Sequence, residues 1–96
     1  SQLLQSFGKL NINHETFSVS MEGREIPLAK KEFELLALLA TKPGKVFKRD
    51  EIMKKIWGED IIVGDRTLDV HIRKIREKIG DNYISTLKGV GYKFEF

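Results

Sequence analysis

The sequence predicts an α+β fold: an N-terminal antiparallel sheet, then three helices, then a C-terminal β-hairpin. Three observations predict it. Short stretches alternate apolar and polar residues up to Leu28. Apolar residues then recur at helical spacing from Lys30 to Ile79, with two interruptions. Alternation returns in "YISTLKGVGYKFEF" at the end.

The runs "KLNIN", "TFSVS" and "REIPL" alternate as half-buried strands do, and "HE" and "MEG" between them are gaps of turn size. From Lys30, the residues Phe33, Leu36, Ala37 and Ala40 recur at i, i+3, i+4 and i+7, and Leu35 and Leu39 widen the apolar face. This predicts a helix buried over much of its surface. "TKPGK" ends it, because Pro43 and Gly44 cannot continue it. After "VF", a second helix is expected from about Arg49 to Trp57. Asp50 and Glu51 sit in its first turn, where the macrodipole favours acids, and Ile52, Met53, Ile56 and Trp57 face inward. Gly58 stops it. The stretch "GEDIIVGD" forms a loop with exposed apolar residues, and Asp65 stands where an N-cap is needed for the third helix.

That helix, "RTLDVHIRKIREKIG", carries the most information. At about 100° per residue, Leu68, Ile72, Ile75 and Ile79 fall in one narrow stripe that requires a core. Opposite lie Arg66, Val70, Arg73 and Glu77, with Lys74 beside them; His71, Lys78, Asp69 and Arg76 occupy the flanks. In the closing hairpin, Tyr92, Phe94 and Phe96 alternate with Lys93 and Glu95, so the three aromatic rings are expected in the core.

Ninety-six residues make one domain, residues 1–96, with a single core. No apolar run approaches the roughly 18 residues of a membrane helix. The net charge of +3 is too small to imply nucleic acid, but its distribution is uneven: residues 66–96 hold seven Lys and Arg against four Asp and Glu. The absence of cysteine excludes disulfides and thiolate metal sites and fits a cytoplasmic location. A start at Ser1 without Met is expected of a fragment or of a tagged chain. No nucleophile motif or phosphate-cradling glycine loop is present, and the two histidines are far apart. Neither an enzyme nor a cofactor is expected.

A short helix, a loop and a helix with a basic outer face make a helix-turn-helix variant, with the hairpin as a wing beside the same groove. A DNA major groove of about 12 Å accepts one helix, and its phosphate walls favour cations on the helix flanks. Arg66, Arg73, Lys74, Arg76 and Lys78 then divide into phosphate and base-edge contacts, and Val70 meets a thymine methyl. Charged solvent faces are common on amphipathic helices, so this helix alone does not separate DNA binding from plain solvation. Lys88 precedes Gly89, Val90 and Gly91 in a tip slim enough for a minor groove, although the same glycines also serve a turn. His71 suits either a phosphate or a packing role. Trp57 suits the core, with an indole N–H that needs a partner.

The segments "EFELLALLATKPGKVFKRDEI", "IWG", "DRTLDVHIRKIREKIG" and "ISTLKGVGYKF" resemble, in that order, the winged-helix effector domain of OmpR/PhoB-type bacterial response regulators. The resemblance covers nearly the whole chain. It implies a winged helix-turn-helix with a four-stranded N-terminal sheet, the third helix in the major groove and the wing in the adjacent minor groove. It implies phosphate contacts at Trp57, Arg66, His71, Arg73 and Arg76, base reading at Lys74, and wing contacts at Thr86, Lys88 and Tyr92. The loop from Gly58 to Gly64 is similar to the family's transactivation loop, with Ile61 and Ile62 as contacts to RNA polymerase. A phosphorylatable receiver domain and a sensor histidine kinase are implied as partners outside this chain, as part of a longer two-domain regulator. Three positions depart from the pattern. Ala29 stands where the family often has Thr, so the capping box with Glu32 is expected to be lost. Lys74 and Lys88 stand where members often have Arg, and lysine keeps the charge but not the bidentate fork.

The expected function is therefore sequence-specific binding of promoter DNA in transcription control, as two copies on a direct repeat. One rival is a protein-interaction module whose basic helix and "EDIIVGD" loop dock RNA polymerase or another acidic partner. A second rival, non-specific RNA binding, needs an exposed aromatic platform that a core hairpin would not supply.

Overall fold

The computed structural model describes residues 4–58 and 65–96. Among these residues, two antiparallel sheets and three helices make up the fold. The first sheet has the order β1-β2-β3-β4, formed by β1 (Leu4–Phe7), β2 (Leu10–Asn13), β3 (Ser18–Met21) and β4 (Arg24–Ile26). It packs Phe7, Leu10, Ile12 and Val19 inward, with Ile12 paired opposite Val19. Alternation alone did not reveal β1; the resemblance implied it. The turn expected at "HE" is longer, since it takes in Thr16 and Phe17. Phe17 has φ 53° and is 73% exposed, so its ring lies outside the alternating pattern.

Helix α1 (Lys30–Ala40) buries Phe33, Leu35, Leu36, Leu39 and Ala40 against α2, α3 and the C-terminal sheet. Its N-terminus corrects one expectation. Ala29 has no side chain to cap the helix, yet the reciprocal half of the capping box survives: the Ala29 amide donates to Glu32 Oε1 at 3.0 Å. Helix α2 (Arg49–Trp57) buries Ile52 and Ile56, while Met53 and Trp57 are partly buried against the core. Helix α3 (Asp65–Ile79) begins at Asp65 and buries the whole predicted stripe, Leu68, Ile72, Ile75 and Ile79, each no more than 4% exposed. Each such side chain contributes about 1.5–3 kcal/mol.

The hairpin of β6 (Ile84–Leu87) and β7 (Gly91–Phe94) gains a third strand, β5 (Val46–Lys48), to give the order β5-β7-β6. The sequence reading passed over β5, a three-residue strand whose partner lies about forty-five residues later. It pairs Phe47 with Tyr92 and Lys48 with Gly91. Gly91 has no alternative there, because an added Cβ would stand 1.9 Å from the Phe47 carbonyl oxygen. Gly89 instead supplies the turn, with φ 78°. Tyr92 and Phe94 are buried as expected, but Phe96 is 72% exposed. Strand β7 ends at Phe94, so alternation no longer points Phe96 inward, and its ring lies edge-on to Phe7 with centroids 5.0 Å apart.

Candidate nucleic-acid interface

Burying the Leu68–Ile79 stripe turns the opposite side of α3 to solvent. Arg66, Val70, Arg73, Lys74 and Glu77 are all exposed, Val70 at 45%. Arg73 pairs with Glu77 one turn on at 3.4 Å; with both side chains more than half exposed, this pair is weak and exchangeable. Beyond the C-terminal half of the helix stands the wing. Its turn, Lys88–Val90, closes through the Val90 amide donating to the Leu87 carbonyl at 2.9 Å, and Thr86 and Lys88 are exposed. The first residue of α2 holds the same turn from below, where the Arg49 amide donates to the Val90 carbonyl at 3.3 Å.

The flanks of α3 are engaged inside the molecule. On one flank, the Arg76 guanidinium donates to the Ile84 carbonyl at 2.8 Å and to Thr86 Oγ1 at 2.6 Å, both on β6. Asp69 on the same flank accepts from Arg49 at 2.8 Å and from the Tyr92 hydroxyl at 2.5 Å. On the other flank, Lys78 pairs at 2.8 Å with Glu32, whose side chain is 5% exposed. His71 donates through Nδ1 to the Thr67 carbonyl at 2.8 Å, and its ring lies edge-on to Trp57 with centroids 5.0 Å apart. Trp57 and His71 are both half-buried.

These partners set the charge states. Hydrogen bonds from Arg49 and then Tyr92 hold the Asp69 carboxyl below its ordinary range, and the same contact with Asp69 raises Arg49 further. Burial, then the bond to Asp69, pushes the Tyr92 phenol up. Burial would raise Glu32, but the hydrogen bonds from Lys78 and the Ala29 amide outweigh it and hold Glu32 low. Asp69 and Glu32 are therefore ionised and paired throughout the neutral range, while the Tyr92 phenol keeps its proton and donates it to Asp69.

The structure therefore brings Arg66, Val70, Arg73 and Lys74 to one outward strip, with Thr86 and Lys88 on the wing. It turns Arg76, Lys78 and Tyr92 toward internal partners. Ile61 and Ile62 lie outside the described residues. Sequence reasoning missed Arg49 and Asp69, since an arginine at a helix start and an aspartate on a helix flank carry no pattern of their own. Among the described residues, no group of three or more His, Asp and Glu converges to hold a metal, and no helix is long and apolar enough to cross a membrane.

Residues 23–94 match the family model described as transcriptional regulatory protein, C terminal. The chain is 40% identical over 88 residues to the regulatory protein VanRB of Enterococcus faecalis, covering 92% of this chain and 40% of the relative. It is 39% identical over 95 residues to the transcriptional regulatory protein ResD of Bacillus subtilis, again covering 40% of the relative. It thus spans about two-fifths of the curated relatives it matches. Among solved structures, the response regulator DrrB of Thermotoga maritima, an OmpR/PhoB homologue, superposes with a TM-score of 0.91 at 39% identity, covering 98% of this chain and 45% of that one. The DNA-binding domain of Klebsiella pneumoniae RstA, solved in complex with the RstA box, superposes with a TM-score of 0.87 at 33% identity, covering 96% of each chain. With three helices and two antiparallel sheets among the described residues, a buried α3 stripe and a match over residues 23–94, the chain belongs to the family of transcriptional regulatory protein C-terminal domains, of the OmpR/PhoB response-regulator type.

Proposed function

We propose that this domain binds double-stranded promoter DNA in a sequence-specific way and thereby regulates transcription, acting by binding and not by catalysis. The observation that carries this reading is the exposed strip of Arg66, Val70, Arg73 and Lys74 on α3, set beside a wing whose turn presents Lys88. A helix face of this width fits a major groove of about 12 Å, and the slim wing fits the narrower minor groove next to it. Arg66 and Arg73 meet phosphates, with Trp57 and His71 completing the phosphate wall from the half-buried side. Lys74 and Val70 read base edges, and Thr86 and Lys88 contact DNA from the wing. Arg76, Lys78 and Tyr92 support this surface from within, and Arg76 and Lys78 add long-range positive charge to it.

The resemblance further supports two copies on a direct repeat, a polymerase contact at Ile61 and Ile62, and control by a receiver domain and sensor histidine kinase in the bacterial cytoplasm. A binding selection from a randomised duplex library near 100 mM salt tests the reading. A tandem motif with about ten-base-pair spacing and a steep fall of affinity with salt is expected. Binding no tighter than to bulk DNA, with no enriched sequence, would overturn it.

A further inference from the structure

The polar cluster under the wing joins four elements, α2, α3, β6 and β7, and takes no part in the outward strip. Asp69 on α3 receives Arg49 from α2 and Tyr92 from β7. The Tyr92 ring is 5% exposed, and the guanidinium carbons of Arg49 and Arg76 lie 6.0 and 5.9 Å from its centroid. Arg76 in turn grips β6 at Ile84 and Thr86. A carboxylate one position before Val70 is unfavourable beside a phosphate wall, so phosphate affinity does not explain Asp69. Its two bonds do. Arg49 neutralises it, and the Tyr92 hydroxyl ties the helix to the root of the wing, two residues from the exposed Val90. A two-stranded hairpin is marginal by itself; its pairing to β5 anchors its base, Arg76 ties β6 to α3, and the Asp69–Tyr92 bond ties α3 to β7, the strand that leaves the wing tip.

We propose that Asp69 and Tyr92 are positioning residues whose hydrogen bond locks the wing to the third helix, so that adjacent major and minor grooves are read by one rigid unit. The inference rests on the DNA-binding reading above for its functional consequence, but not for the lock itself. Base preference in the wing's groove then depends on two residues that touch no base.

The test compares the 96-residue chain with Tyr92→Phe, which keeps the ring and removes the hydroxyl, and with Asp69→Ala. Wing orientation relative to α3 is measured by residual dipolar couplings of the Lys88–Val90 amides in the free protein. Affinity is measured for the duplex recovered by selection and for two altered duplexes. One changes the base pair under Lys74; the other replaces A·T by G·C under the wing, which adds an amino group to the minor groove. In Tyr92→Phe, the wing amides should lose their fixed orientation and discrimination under the wing should fall below about twofold. Discrimination at the Lys74 base pair should stay within about twofold of the parent. A parental wing orientation in Tyr92→Phe would overturn the lock, and so would both discriminations falling together in step with thermal stability. If the parent enriches no duplex, the DNA reading fails and the dipolar couplings alone decide the lock.

Discussion

The Glu32 carboxylate, in the first turn of α1, lies 2.8 Å from the Lys78 ammonium near the end of α3, with the Glu32 side chain only 5% exposed. The same Oε1 accepts the Ala29 amide, so one oxygen closes the start of α1 and ties it to the helix that carries the outward strip. Glu32→Ala leaves an amide and an ammonium without this acceptor and should cost about 2 kcal/mol in urea unfolding. Glu32→Gln keeps an oxygen for Ala29 and should cost about half as much. Equal losses in both variants would mean that the charge, not the cap, carries the effect.

Acid should remove the same contribution. The folded Glu32 carboxyl lies below its ordinary value of 4.5, and Asp69 lies below its ordinary value of 3.8. Because each is lowered on folding, its stabilisation is complete above the ordinary value and is lost as pH falls through the folded one. The stability gap between parent and Glu32→Gln should therefore hold steady down to about pH 4.5 and shrink below it. Equilibrium unfolding at stepped pH measures this, and a gap that widens in acid would reverse the assigned sign.

Two glycines of the wing should respond differently to alanine. At Gly91, the added methyl meets the Phe47 carbonyl oxygen, and β5 must move away from β7. A loss of roughly 2–3 kcal/mol is expected, as for other forced overpacking. At Gly89 the space is open and only the positive φ is strained, so about 1 kcal/mol is expected. Thermal unfolding of the two variants side by side checks the order.

On the outward strip, Arg66→Ala and Arg73→Ala should weaken binding to all duplexes and reduce the log–log salt slope by about 1 each. Lys74→Ala should instead change preference at one or two base pairs. An unchanged slope in both arginine variants would remove them from the phosphate wall.

Much of the fold was legible because its signals are local. The Leu68–Ile79 stripe, the run from Phe33 to Ala40 and the glycine after Trp57 each state a period or a stop within a few residues, and all three helices lie where these place them. The outward strip on α3 followed from the same period, since burying one face exposes the other. What sequence could not decide was which neighbour each flank would meet. Arg76 and Lys78 read as candidate phosphate contacts because charge and spacing describe a helix alone, and Tyr92, a core residue by alternation, was a wing contact only by the resemblance. Only packing set Arg76 on β6, Lys78 on Glu32 and Tyr92 on Asp69. Strand β5, the close approach at Gly91 and the exposure of Phe96 were hidden for the same reason: each depends on a partner strand or a strand end that comes together only on folding. Periodicity in the chain determined which surfaces are apolar and which are basic. The tertiary structure decided which polar groups are used up in holding those surfaces in place, because hydrogen bonds are satisfied by whatever folding brings within reach.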